Sequence, residues 1–219
     1  MMKTTLLIAA LASTLSVTAN AATYAYISSP GDGLISQYRL DQNNGALTLI
    51  EQIQAGDQVN PMALTPDGKV LFAALRVKPF QVVGYRIDPT SGHLTKFTQA
   101  PLAESMAYLS TDRKGRYLLA ASYGADALSV QKIGEDHLPS ADILRYPTGL
   151  HAHSIRTEPS NRFAYAGNLG TDKVLQYRLD AKTGELSPIG SGSVSVPGKP
   201  ALGTWHSRRT ANSFMSLAK

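Results

Sequence analysis

Past its first twenty or so residues, the chain carries its apolar positions in short runs and alternations, with no 3.6-residue period long enough for a helix. One unit recurs: a short apolar strand, a Gly/Asp turn, a second strand ending in Tyr-Arg-aliphatic, then a polar turn and Leu. The first copy runs Tyr24–Ile27, Pro30–Gly33, Leu34–Leu40 and Asn44–Leu47. The second runs Val70–Leu75, Val82–Ile87 and Ser91–Leu94. The third is Tyr117–Ala121, Ala127–Ile133 and Asp136–Leu138, and the fourth Phe163–Ala166, Val174–Leu179 and Thr183–Leu186. Tyr38, Tyr85, Val130 and Tyr177 match across the copies, 47, 45 and 47 residues apart. Gly, Pro, Asn and Asp bound each run, which is strand and turn chemistry. A strand-only repeat of this length predicts β-propeller blades, each a four-stranded antiparallel sheet. Segments such as Asn60–Gly68 then supply the innermost strand of a blade and its first turn. The Tyr-Arg stripe, at repeat spacing, predicts packing between blades.

The N-terminus follows different rules. Met1-Met2-Lys3 is a short positive start, Thr4 to Val17 is uncharged and mostly apolar, and Ala19-Asn20-Ala21 places small residues before a cleavage point at Ala22. This is the pattern of a secretory signal, residues 1–21, and predicts a periplasmic or secreted mature chain. The apolar run is shorter than the roughly 20 residues of a membrane span, and no later segment is apolar enough. The absence of cysteine removes disulfides, thiolate catalysis and Cys-based zinc sites together. The formal charge of +5 is carried by Lys3 and by Lys199, Arg208, Arg209 and Lys219; residues 22–196 hold 16 basic and 16 acidic side chains. With a neutral body, the basic footprint of a nucleic-acid binder is missing.

After Val196 the repeat stops where a new inner strand is due. Residues 197–219 contain the single Trp205, several basic residues, and no strand alternation. Synonymous codons for Lys199–Lys219, read from the third base of each, can encode Ala-Gly-Pro-Arg-His-Leu-Ala-Phe-Ser-Pro-Asp-Gly-Lys-Phe-Leu-Tyr-Val-Thr-Ser-Glu. That is the missing strand, turn and next strand in register. The expectation is a frameshift near Pro197, with residues 197–219 an out-of-frame, disordered tail on a truncated protein. About four blades, residues 22–196, then form an incomplete ring with exposed edges and flanks, which predicts low solubility.

The repeat, the Tyr-Arg-aliphatic and Gly-x-Leu strand ends, and the segments His151–Ile155 and Asn168–Val174 together resemble the seven-bladed β-propeller lactonases. That family includes the bacterial propeller-type 6-phosphogluconolactonases and the carboxymuconate cyclases. The resemblance covers about Thr23 to Val196. It implies four of seven blades, and hydrolysis of a sugar-acid lactone without metal or cofactor; the small-molecule lactone is the one partner it implies. His151 and His153 match the family's His-x-His. At alternate positions of a strand they would point to one face, where a neutral imidazole could act as general base on water. His153 is the expected base and His151 the alternative. Asn168, where the family often has Asp, and Asp172 are the expected substrate-binding residues, although Asp172, like Asp32 and Asp126, also suits a hairpin turn. His93 and His137 lie in outer turns and are expected to be solvated. An Arg and an acidic residue that the family draws from the following blade would fall in the shifted tail, so the set is incomplete. An exported protein also sits apart from a cytoplasmic phosphorylated substrate, which favours unphosphorylated aldonolactones. The competing reading is a non-catalytic periplasmic propeller that binds a protein or glycan.

Overall fold

The computed structural model of the protein describes residues 22–196 and 217–218. Both the expected signal segment and, except for Leu217 and Ala218, the expected tail lie outside them. The described chain is all-β apart from one 3-10 turn, Leu169–Thr171. Its strands are β1 (Thr23–Ser29), β2 (Leu34–Leu40), β3 (Leu47–Gln54), β4 (Val59–Leu64), β5 (Val70–Leu75), β6 (Gln81–Ile87), β7 (Leu94–Pro101) and β8 (Tyr108–Thr111). They continue with β9 (Tyr117–Ser122), β10 (Ala127–Ile133), β11 (Pro139–Pro147), β12 (Ala152–Thr157), β13 (Phe163–Asn168), β14 (Lys173–Leu179), β15 (Leu186–Ser195) and β16 (Leu217–Ala218). Three sheets take their strands in chain order: β4–β7, β8–β11 and β12–β15. The first sheet has the order β16-β1-β2-β3, so a strand from the far end of the chain holds the place that β4, β8 and β12 hold elsewhere. Ala218 pairs with Tyr24 and Leu217 with Ala25, antiparallel. These are propeller blades, four of them, with the repeat seen in the sequence as their unit.

The second strands of the two inner blades, β5 and β9, are buried on both faces, and their alternation divides each between two neighbours. On β5, Val70, Phe72 and Ala74 face the third blade, packing with Leu109, Leu118 and Ala120. Leu71 and Ala73 face the first blade, with Tyr24, Tyr26 and Ile35. On β9, Tyr117, Leu119 and Ala121 turn instead to the fourth blade and meet Ile155, Ala164 and Tyr177. The core is thus a series of apolar layers between sheets, and the last strands of the blades, such as β3 and β11, are left largely exposed.

The Tyr-Arg stripe packs between blades: Tyr85 is buried against the first blade and Tyr177 against the third. The third copy needs a correction. Tyr38 pairs with Ala25, Tyr85 with Leu71 and Tyr177 with Ala164, and the residue so placed in the third blade is Gln131, opposite Leu118. The true spacings are 47, 46 and 46. Val130 faces the fourth blade instead, while Gln131 takes the tyrosine position and donates its amide to Pro101 O and Ser140 O. Because Val130 is the apolar residue, it attracts the match; the register places the polar one at the interface.

One hydrogen bond recurs at every blade and sets the geometry of the rim. Ala55, Leu102, Thr148 and Val196, each just past the last strand of its blade, donate their N–H to the carbonyls of Gly33, Phe80, Asp126 and Asp172 at 2.8 or 2.9 Å. Those carbonyls belong to the hairpins between second and third strands. The chain therefore leaves every blade past this hairpin before starting the next one.

Candidate active site

The hairpin between β9 and β10 and the first residue of the fourth blade meet at this rim. Asp126 takes the left-handed conformation, φ 51°, which Asp tolerates better than most residues. Its carbonyl receives Thr148 N, and its carboxylate receives the N–H of His151 at 2.6 Å. His151 itself has φ 65° and stands just outside β12. The register of β12 against β13 shifts between Ala152 and Ser154, so simple alternation does not relate His151 to His153. This corrects the expectation of one straight strand carrying both.

The two imidazoles are nevertheless brought together, by Tyr123. Its ring stacks on His151 with centroids 4.1 Å apart and planes 3° from parallel. It meets His153 edge-on at 6.3 Å and 84°. His151 Nδ1 lies 3.4 Å from Tyr123 O and 3.8 Å from Asp126 Oδ1. Both polar neighbours of Nδ1 are acceptors. A ring nitrogen facing acceptors carries the proton in the neutral imidazole, which leaves the lone pair on Nε2. The His151 side chain is 40% exposed, so Nε2 can meet a ligand or water. His153 differs: its Nδ1 is buried with no hydrogen-bond partner among the described residues, and nothing there fixes which nitrogen holds the proton.

Asn168 is fully buried at the end of β13. Its amide donates to Gly149 O at 2.9 Å, and its carbonyl oxygen accepts from the Thr171 hydroxyl. Ser122 does the equivalent work in the preceding blade, donating to Ser105 O at 2.8 Å. Both side chains tie the end of a second strand to the loop that enters the blade, and Asn168 presents neither polar atom to a ligand. Asp172 caps the 3-10 turn with φ 51° and is exposed. Its carboxylate makes no hydrogen bond or ion pair among the described residues. It is the fourth-blade counterpart of Asp126, and its carbonyl receives Val196 N.

The other histidines are not simply solvated. His93 Nδ1 lies 2.7 Å from Glu51 Oε1 on the first blade, and His137 Nε2 3.5 Å from Asp67 Oδ2 on the second. Each ties an outer turn to the preceding blade. Among the described residues no group of three or more His, Cys, Asp or Glu side chains is placed to hold a metal ion, and no helix is long and apolar enough to cross a membrane.

Sequence reasoning missed Tyr123 and the link from Asp126 to His151. The partners are 25 residues apart and on different blades, so no local spacing reports them. The one available signal was the alignment of the two hairpins, which sets Asp126 and Asp172 at the same position.

The family described as "Lactonase, 7-bladed beta-propeller" matches residues 21–212. A 6-phosphogluconolactonase of Erwinia tasmaniensis is 36% identical over 172 residues, which make up 78% of this chain and 51% of that protein. One of an Enterobacter species is also 36% identical, over 70% of this chain and 46% of its own length. The chain spans about half the length of the curated relatives it matches. Among solved structures, a periplasmic gluconolactonase of Pseudomonas aeruginosa superposes with a TM-score of 0.68 at 24% identity, over 80% of this chain and 55% of that one. A putative 6-phosphogluconolactonase of Bacteroides uniformis superposes with a TM-score of 0.69 at 18% identity, over 82% and 56%. Likeness at these identities concerns the fold.

Proposed function

Because this chain belongs to the seven-bladed β-propeller lactonase family, we propose that it carries the general-base half of a site that hydrolyses a sugar-acid lactone. His151 is the base. The observation that carries this reading is the setting of its Nδ1, which faces Tyr123 O and the Asp126 carboxylate and so leaves Nε2 as the free lone pair. A water held at Nε2 gives its proton to His151 as its oxygen attacks the lactone carbonyl; the ring C–O bond then breaks and the leaving alkoxide takes that proton back from the imidazolium, giving the open hydroxy acid and the neutral base. A positioned base of this kind is worth about 10²- to 10⁴-fold in rate. His153 packs edge-on to the same tyrosine and supports the stack from beside it. We assign Asn168 to holding the rim, as its buried amide favours, and Asp172 to the hairpin that would receive a following blade.

The finer parts of this reading rest on the sequence. The leader at residues 1–21 assigns the protein to the periplasm or the exterior, and hence an unphosphorylated aldonolactone as substrate. The shifted reading of residues 197–219 assigns the Arg and the acidic residue that the family draws from the following blade to blades beyond this chain. The chain alone is then expected to hydrolyse lactones no faster than water does.

The test is a pH-stat assay with glucono-1,5-lactone, on this chain and on the protein continued through the alternate frame. The continued protein is expected to be active, and His151→Asn to lower its kcat by about 10²- to 10⁴-fold, with a smaller effect from His153→Asn. Equal activity of His151→Asn and the unsubstituted protein would overturn the assignment.

A further inference from the structure

We infer that Asp126 is the positioning residue for His151: its carboxylate sets the orientation of the imidazole and holds the proton on Nδ1. The inference rests on the reading of His151 as the base and names the group that prepares it. Three contacts from one hairpin converge on this histidine. The Asp126 carboxylate binds the His151 N–H at 2.6 Å, which fixes where the residue enters the blade. The same oxygen, Oδ1, stands 3.8 Å from Nδ1, and the flat face of the ring lies on Tyr123. With the backbone pinned and one face covered, the ring turns little, and Nδ1 stays among acceptors. The groups around it are Asp126, Tyr123 and, across Tyr123, His153.

The carboxylate does what a carbonyl alone does not. When Nε2 takes the proton of water, the imidazole becomes a cation with N–H on both nitrogens. A negative charge already in place beside Nδ1 favours that cation without moving anything, which is how a charge partner supports a histidine base. At 3.8 Å the carboxylate acts on Nδ1 through its charge. The fourth-blade counterpart provides the contrast. Asp172 shares the backbone conformation, φ 51°, and the carbonyl bond to the chain leaving the blade, yet its carboxylate touches no histidine. The left-handed hairpin residue recurs in the first, third and fourth blades, at Gly33, Asp126 and Asp172, and the imidazole partner belongs to the third blade alone among the described residues.

The experiment reads the proton directly. In this chain labelled with ¹⁵N-histidine, the shifts of the His151 ring above its titration report the tautomer, in solution or from sedimented protein by solid-state NMR; His151→Gln identifies the signal. The expected result is the Nδ1–H form. Asp126→Asn keeps the size, tolerates positive φ and removes the charge, and its amide can turn a donor toward Nδ1. It is expected to shift the ring toward the Nε2–H form and, in the continued enzyme, to lower kcat about 10- to 100-fold with KM little changed. Asp126→Glu should recover part of both. A structural role alone would leave the tautomer where it was. An Nε2–H form in the unsubstituted chain, or an Nδ1–H form that survives Asp126→Asn, overturns the inference. An enzyme made inactive by His151→Asn but untouched by Asp126→Asn would also overturn it while leaving the base assignment standing. An enzyme untouched by His151→Asn would instead remove the reading beneath it.

Discussion

At the scale of single residues, two glycines bear most directly on how the blades fit. Gly92 and Gly184 close the outer turns of the second and fourth blades with φ 73° and 80°. A Cβ on Gly92 would lie 2.5 Å from the Tyr24 ring, and one on Gly184 2.5 Å from Tyr117. Those tyrosines are the matching residue of the preceding blades, so the glycine is where one sheet rests on the next. Gly45 has the same backbone, φ 77°, and open space around it. Gly45→Ala is therefore expected to cost about 1 kcal/mol, for backbone strain alone. Gly92→Ala and Gly184→Ala should cost about 1–3 kcal/mol more through the clash, read from urea midpoints. Equal losses at all three positions would show that the tyrosine contact matters little. A second residue carries a comparable load. Asp112, at 0% exposure, receives the N–H groups of Arg116 and Tyr117 at 2.6 and 2.9 Å and the amide of Asn161 at 2.8 Å. Asp112→Ala orphans three donors and should cost about 3 kcal/mol or more.

At the scale of the element, the sequence was informative where an element is a run of alternating residues, and silent where it is a meeting of two runs. Each blade's second and third strands, the turn that ends Asn60–Gly68 and the polar turns at Asn44–Leu47, Ser91–Leu94 and Thr183–Leu186 are read locally, because their chemistry is local. Val130 attracts the match by its apolarity, whereas the regular pairing of second and third strands puts Gln131 in the tyrosine position; the pairing of third and fourth strands shifts near the same position in all four blades. The site was half legible. His151 and His153 stand out as residues, but the hairpin that organises them lies on another blade. The turns also give a pH dependence. The Asp88 and Asp180 carboxyls are held below the usual carboxylate range, first by the N–H groups of Ser91 and Thr183 respectively. For Asp67 and Glu158 burial pushes upward, but hydrogen bonds outweigh it: from the Thr65 hydroxyl and Lys69 N in one case, and from Ser160, Arg162 and Phe163 in the other. A carboxyl lowered in the folded state stabilises it above its unfolded pKa, and that stability is lost as pH falls through the folded value. The urea midpoint is thus expected to hold from pH 7 to about 5 and to fall below about 4. Glu158→Gln should be less stable at pH 7 and show a shallower acid loss; an unchanged midpoint at pH 3 would contradict this.

At the scale of the whole molecule, the described blades show two flanks unlike the interior. Phe163 holds the place in the fourth blade that Tyr24 and Tyr117 hold in the first and third, opposite Arg178 as they are opposite Arg39 and Lys132. Tyr24 and Tyr117 each receive the glycine turn of the next blade; Phe163 is half-buried beneath the guanidinium groups of Arg162 and Arg178, 5.2 and 5.4 Å from its ring. Tyr117→Ala should then cost about 3–5 kcal/mol and Phe163→Ala about 1–2 kcal/mol, whereas similar losses would mean that Phe163 is already seated as its counterparts are. On the other flank Ile27 is exposed. With the seven-bladed family and curated relatives of whose length this chain spans about half, these flanks support the central claim that the four blades belong to a larger ring whose remainder completes the site. The measurement that tests it most directly is to sequence the gene from source DNA across codons 190–219 and on through the alternate frame. The account predicts three further blades there, beginning with the Gly-Pro-Arg-His strand and its Ser-Pro-Asp-Gly turn. An alternate frame without blades would contradict it.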